Sequence, residues 1–423
     1  MMSRVCSTLG AILVLAVGSR GAEPAGVDSC PSKWRGTWAT APQSVERKDL
    51  PADGSFEGGT LRQIVRVSAG GHQLRVRFSN EFGRSPLHLL AAHVAKPARG
   101  SSIVAGSGRA LLFSGKPEVV VPPGAQMVAD PADFDLEPLS DLAITIRCGG
   151  AFDGITGHPG SRATSYLATG AGVADVDLAA ATPVDHWYFI RGVDVPAEGD
   201  GGAIAVLGDS ITDGRGSTTN GNDRWPDQLA KRLLGQRGTA QFGVLNEGIG
   251  GNRLLRDGLG QCALARLDRD VLAQAGVRWV IVIEGVNDIG TSAQARARGE
   301  SAPTAVDVIA ALEQIAYRAR STGLRVLGGT ILPFGGSFYD LPGAEADRKA
   351  VNDWIRNAHC FDAIIDFDAA VRDPGNPTRL APPDDSGDHL HLTPAGYEQM
   401  ADAVELNALR VGSTEGGGKQ PDH

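Results

Sequence analysis

From Trp34 to about Val195 apolar and polar residues alternate along the chain. Leu61–Val67 and Gln73–Phe78 are period-two runs parted by a glycine pair, Gly70 and Gly71. That period places every second side chain on one face, as in a half-buried strand. The same reading predicts strands over Leu87–Val94, Ala110–Phe113, Glu118–Val121, Leu142–Ile146 and Trp187–Val193, with no helical period of useful length between them. Short strands parted by Gly, Pro and Asn turns predict a β-sandwich or jelly roll. After Gly201 the pattern changes. Continuous apolar runs at Ile204–Leu207, Phe242–Leu245, Trp279–Ile283, Val326–Ile331 and Ile364–Phe367 alternate with amphipathic stretches. The latter lie at Trp225–Leu234, Leu264–Ala273, Ala305–Arg320, Ala346–Asn357 and Pro394–Leu409. Buried strands alternating with helices predict an α/β fold with a doubly wound parallel sheet. The expected organisation is an all-β domain over residues 30–195, a linker at Ala197–Gly202, an α/β domain over 201–410, and a polar, Gly-rich tail over 411–423.

The amino-terminal segment fits neither half. Arg4 precedes a mostly apolar run from Val5 to Gly18, and small residues follow. Residues 1–22 therefore read as a signal peptide, because the run is shorter than the roughly 20 residues of a membrane span. Export to the periplasm or the medium is expected, with no transmembrane segment in the mature chain. The formal net charge of −9 argues against nucleic acid as a partner, since phosphate binding needs clustered Lys and Arg. Export also makes disulfides plausible on compartment grounds. Cys30–Cys148 and Cys262–Cys360 are the favoured pairs because each stays inside one expected domain.

Candidate chemistry gathers after the buried strands. Ile204–Leu207 runs into Gly208, Asp209, Ser210, Ile211, Thr212, Asp213 and Gly214. Sites in open α/β sheets form where strands end, and a Ser on such a turn can face backbone N–H groups suited to a developing anion. Alone it is equally a helix cap. Three further segments change that balance: Asn246–Asn252 after the second strand, Glu284–Asp288 after the third, and Asp388–His391 followed by Leu392–Tyr397.

Together these four blocks, in this order, resemble the SGNH (GDSL-type) hydrolase superfamily, whose blocks carry Ser, Gly, Asn and His. The resemblance spans residues 204–397 and implies a flavodoxin-like sheet and ester hydrolysis without metal or cofactor. Position by position, it implies Ser210 as nucleophile, His391 as general base and Asp388 as the acid that orients His391. It likewise implies an oxyanion hole from the Ser210 and Gly251 backbone N–H groups and the Asn287 side-chain amide. His389 is a competing base and Gly250 a competing donor. Asp209 and Asp288 read as structural braces. Leu392 stands where many members have Pro, and Pro394 suits the first turn of the last helix. The chain lacks metal-ligand spacing, so His88, His93 and His186 read as packed or surface side chains.

The front half resembles, more loosely, that of secreted bacterial xylan-esterase-like members, with Trp34 and Trp38 near its start. It is expected either to touch carbohydrate and wall the cleft or only to support the catalytic half. Trp187, Tyr188 and Phe189 are consecutive, so alternation turns at least one ring outward, toward a domain interface or a sugar. Loops Thr291–Pro303 and Pro333–Tyr339 are expected to frame the cleft. Lacking an aliphatic run, they favour acetyl or other short-chain esters of a small molecule or polysaccharide. A lipase or phospholipase, a broad carboxylesterase and a non-catalytic carbohydrate-binding protein are the alternatives.

Overall fold

The computed structural model describes residues 33–51 and 56–410. The expected signal peptide, Cys30 and the polar tail lie outside these residues.

The front half is built from antiparallel sheets. One runs in the order Trp34–Ala39, Ile190–Pro196, Gly71–Ser79, Gln126–Val128. A second runs Thr182–Val184, Ser165–Thr169, Gly59–Arg66, Asp141–Gly149, Leu87–Ala95, Arg109–Leu111. Their apolar faces close one core, with Leu74, Val76 and Phe78 from the first meeting Leu61, Leu87, Leu89, Ile144 and Ile146 from the second. The period-two pattern survives packing because each sheet has one face to bury. It fails at the aromatic triplet. Trp187, Tyr188 and Phe189 are all buried, since Phe189 takes φ 61° and breaks the strand between Trp187–Tyr188 and Ile190–Pro196. The left-handed residue resets the alternation, so no ring turns outward.

The second half holds a five-stranded parallel sheet in the order Gly243–Gly248, Ala203–Gly208, Val277–Ile283, Arg325–Gly329, Ala363–Ile365. This is the flavodoxin-like order, second strand outside the first. Helices Trp225–Leu234 and Pro394–Asp402 pack together, as do Ala263–Leu267, Ala305–Ser321 and Ala344–Asn357. Thr304 begins the longest helix: Asp307 accepts a hydrogen bond from its backbone N–H at 2.8 Å. The last amphipathic stretch divides into Pro394–Asp402 and a short turn, Leu406–Leu409. Val286–Ala297 is a helix although it reads as loop; Val286, Ile289 and Ala293 form its buried side, diluted by Gly, Ser, Thr and Gln.

Cys262 and Cys360 are not paired with each other. Helix Ala305–Ser321 stands between them, Arg318 bonding the Leu264 carbonyl and Arg320 the Cys360 carbonyl. A helix about 10 Å across exceeds the roughly 7 Å that a disulfide tolerates between Cα atoms. Cys148 is buried, and its expected partner, Cys30, is among the residues not described.

Side chains and backbone join the halves. Gly36 donates its N–H to the Ala275 carbonyl at 2.8 Å, and Val244 donates to the Ser68 hydroxyl at 2.8 Å. Deeper in, Arg191 of the front half meets Glu247 at 3.0 Å and Asp270 at 3.2 Å, all three fully buried.

Candidate active site

The first parallel strand ends at Gly208, and Asp209 turns the chain into the short helix Ser210–Asp213 by accepting the Ile211 N–H at 2.9 Å. Gly214 ends that helix at φ 96°. Ser210 is thus the first helical residue, with its hydroxyl at the carboxyl edge of the sheet. Its Oγ lies 2.7 Å from His391 Nε2, and His391 Nδ1 lies 2.6 Å from Asp388 Oδ2. Asp388 Oδ1 accepts the backbone N–H groups of His391 at 2.8 Å and Leu390 at 3.1 Å. An ionised carboxylate only accepts, so Nδ1 carries the proton and Nε2 accepts from Ser210. Burial would raise the Asp388 carboxyl, but the backbone donors and the imidazole outweigh it and hold the group down at about 2. Burial lowers His391 below its ordinary value, and Asp388 only partly opposes this. His389 turns elsewhere, its Nδ1 2.5 Å from Asp385.

Gly251 follows the second strand at φ 68°, a conformation that glycine adopts without strain. Asn287 sits in the first turn of helix Val286–Ala297. Its Nδ2 donates to the Asn252 carbonyl at 2.8 Å, and its Oδ1 accepts from the Tyr339 hydroxyl at 3.1 Å. Ser210, Gly250, Gly251, Asn287 and His391 line one cleft of about 270 Å³. The residues that the sequence singled out therefore converge, with both candidate glycines at the same wall.

Residues 206–399 match the GDSL-like Lipase/Acylhydrolase family. This part of the chain is similar to the GDSL-like acylhydrolases. The protein is accordingly a carboxylic ester hydrolase acting on acylated substrates. Solved structures similar to it cover about half of the chain. An acetylxylan esterase from Geobacillus stearothermophilus is 20% identical over 50% of this chain and 96% of its own, at TM-score 0.38. A carbohydrate acetylesterase family member from Sinorhizobium meliloti is 18% identical over 49% and 96%, at 0.37. A GDSL-like lipase from Bacteroides thetaiotaomicron is 17% identical over 49% and 87%, at 0.35. No curated protein matches the chain.

The acylhydrolase cleft has a second wall that the four blocks do not contain. Gln43, Lys48, Asp49, Pro159, Gly160 and Arg162 of the front half line it. Buried His158 spans from the Ala41 carbonyl at 2.8 Å to Asp213 Oδ1 at 2.9 Å, reaching the helix that begins with Ser210. Arg162 Nη2 lies 3.4 Å from the other Asp213 oxygen. A Cβ at Gly160 would strike that carboxylate, so glycine is required for the approach. Sequence reasoning passed over His158; the Pro159–Gly160 turn beside it was the one local signal. Arg266 was also missed. Fully buried, it donates to the Gly208 carbonyl at 3.0 Å, the Glu247 carbonyl at 2.7 Å and Asn252 Oδ1 at 3.0 Å, fastening the segments that lead to Ser210 and Gly251 from below.

Asp209 and Asp288 brace these loops. Asp288 accepts the N–H groups of Leu254 at 2.8 Å and Leu255 at 3.2 Å. Burial pushes Asp209 up to about 7 and Asp288 up to about 6. Phe338 and Tyr339 reach the cleft, whereas most of Thr291–Pro303 belongs to the helix Val286–Ala297 or its exit. None of its residues lines the cleft among those described.

Proposed function

We propose that this acylhydrolase is an exported serine esterase that removes short acyl groups, acetyl foremost, from carbohydrate. The observation that carries the reading is the chain of hydrogen bonds Ser210–His391–Asp388 opening into the cleft. As His391 Nε2 takes the hydroxyl proton, Ser210 Oγ attacks the acyl carbon, and Asp388 stabilises the imidazolium. Charge collects on the former carbonyl oxygen, where the Ser210 and Gly251 N–H groups and the Asn287 amide are the donors. Collapse expels the alkoxide, protonated by His391. Water, deprotonated by the same imidazole, then releases the acid and restores Ser210.

A long acyl chain needs a continuous apolar groove, each buried CH₂ contributing about 0.8 kcal/mol. The cleft instead interleaves Phe338, Tyr339 and Leu259 with Gln43, Lys48, Asp49 and Arg162. Rings beside hydrogen-bonding groups suit a sugar face and its hydroxyls. Export rests on residues 1–22 alone. The test is kcat/KM along a series from acetate to palmitate esters, together with acetate release from acetylated xylan. A maximum at acetate and measurable release are expected. A maximum at eight carbons or more would reject the short-acyl reading, and no release from acetylated glycans would reject the carbohydrate assignment.

A further inference from the structure

Asn287 has one more partner than an oxyanion donor needs. Its amide is planar, with two N–H groups and one carbonyl oxygen. The Asn252 carbonyl takes one N–H at 2.8 Å, and the Tyr339 hydroxyl donates to Oδ1 at 3.1 Å. Fixing both ends of a planar group fixes the direction of the remaining N–H. Each partner is itself anchored. Asn252 is held by Arg266 at 3.0 Å and by its own donation to Gln261 at 2.8 Å. Tyr339 is buried, its ring 4.3 Å from that of Phe338 and its N–H 3.1 Å from the Ser337 hydroxyl. The helix carrying Asn287 also makes room for this ring. Gly290 lies one turn further on, and a Cβ there would come within 2.2 Å of the Tyr339 ring.

We propose that Tyr339 is a positioning residue of the ester hydrolysis, aligning and polarising the Asn287 amide for the oxyanion; this rests on Asn287 being an oxyanion donor. The carbonyl oxygen of an amide can only accept, so Tyr339 must donate. Burial pushes its phenol up to about 12, which keeps the proton in place across the working range. A hydrogen bond accepted at the amide oxygen strengthens the N–H groups at its other end. The oxyanion exists only in the transition state and the tetrahedral intermediates. Losing this alignment therefore lowers kcat and leaves KM nearly unchanged.

The experiment measures kcat and KM on p-nitrophenyl acetate for the full chain and for Tyr339→Phe, Asn287→Ala and the double variant, with thermal midpoints for each. Tyr339→Phe should lose about tenfold in kcat, the scale of one hydrogen bond, with KM within about twofold of wild type. Asn287→Ala should lose about 10²–10³-fold, and the double variant should be no worse than Asn287→Ala. If Asn287→Ala is impaired while Tyr339→Phe turns over like wild type, the proposal is wrong. So it is if the Tyr339→Phe loss recurs in full on the Asn287→Ala background, since that additivity marks a general structural effect. Wild-type turnover by Asn287→Ala would instead remove the oxyanion reading and this inference with it. Gly290→Ala keeps the phenol but displaces its ring, and reads the same contact should Tyr339→Phe fold poorly. Its kcat should fall on the wild-type background and not on the Asn287→Ala background; any other pattern rejects the proposal.

Discussion

Ser210 is 6% exposed and His391 3%, so the pair meets substrate only through the cleft. Ser210→Ala should abolish ester hydrolysis with the fold intact, and His391→Ala should be comparably damaging because members of such a unit do not act additively. Asp388→Asn should cost orders of magnitude by favouring the wrong tautomer of His391. Steady-state rates with circular dichroism on each variant check all three. Only neutral His391 accepts the Ser210 proton, so kcat/KM should rise with pH. Burial lowers the imidazole, which places the midpoint below the ordinary histidine value of about 6.5. A midpoint above 7 in a pH–rate profile would contradict this. The residues of the four blocks were legible because each sits in a short loop directly after a strand or before a helix. Their supports were not: His158 reaches Asp213 and Tyr339 reaches Asn287 across long stretches of chain, and no local spacing encodes such a meeting. The aromatic triplet misled for a different reason, because one left-handed residue, Phe189, invisible in composition, reverses the face of all that follows.

Among the elements, the long amphipathic helices and apolar strands announced themselves by period, and the short ones did not. Helix Ser210–Asp213 is a single turn held by Asp209 at one end and Gly214 at the other, too brief for any period to register. Helix Val286–Ala297 carries small and polar residues on most of its surface, so its apolar stripe is thin. The loop bearing Gly251 shows how an element's shape serves the chemistry. A side chain there would be strained at φ 68°, and its Cβ would lie 3.2 Å from Leu259. Gly251→Ala should therefore lower kcat by at least tenfold, through a displaced N–H donor, with a thermal midpoint close to wild type. Kinetics and a melting curve on one preparation separate the two effects. Gly250→Ala, at negative φ and with its nearest neighbour 3.6 Å away, should be milder.

At the scale of the molecule the front half is part of the candidate site. It lines the cleft, touches the helix that begins with Ser210 through His158, and sends Arg191 into the other half to meet Glu247 and Asp270. Arg191→Leu would leave buried Glu247 with only the Gln274 amide as a side-chain hydrogen-bond partner, while Asp270 keeps Arg266 and Arg269, a loss on the order of 3 kcal/mol, readable as a lowered urea midpoint with unchanged slope. Alternation showed a sandwich and an α/β sheet side by side. It could not show that they share a buried ion network, because charged residues in a sequence carry no mark of being buried. The pairing of Trp34–Ala39 with Ile190–Pro196 has a kinetic consequence. The earliest strand of the sandwich cannot find its neighbour until the last has been synthesised, roughly 8–30 s later at ordinary elongation rates. Until then it presents an open edge to any other nascent chain. Contacts this distant in sequence also make for slow folding, so recovery from denaturant should depend strongly on dilution, with aggregation as the competing fate.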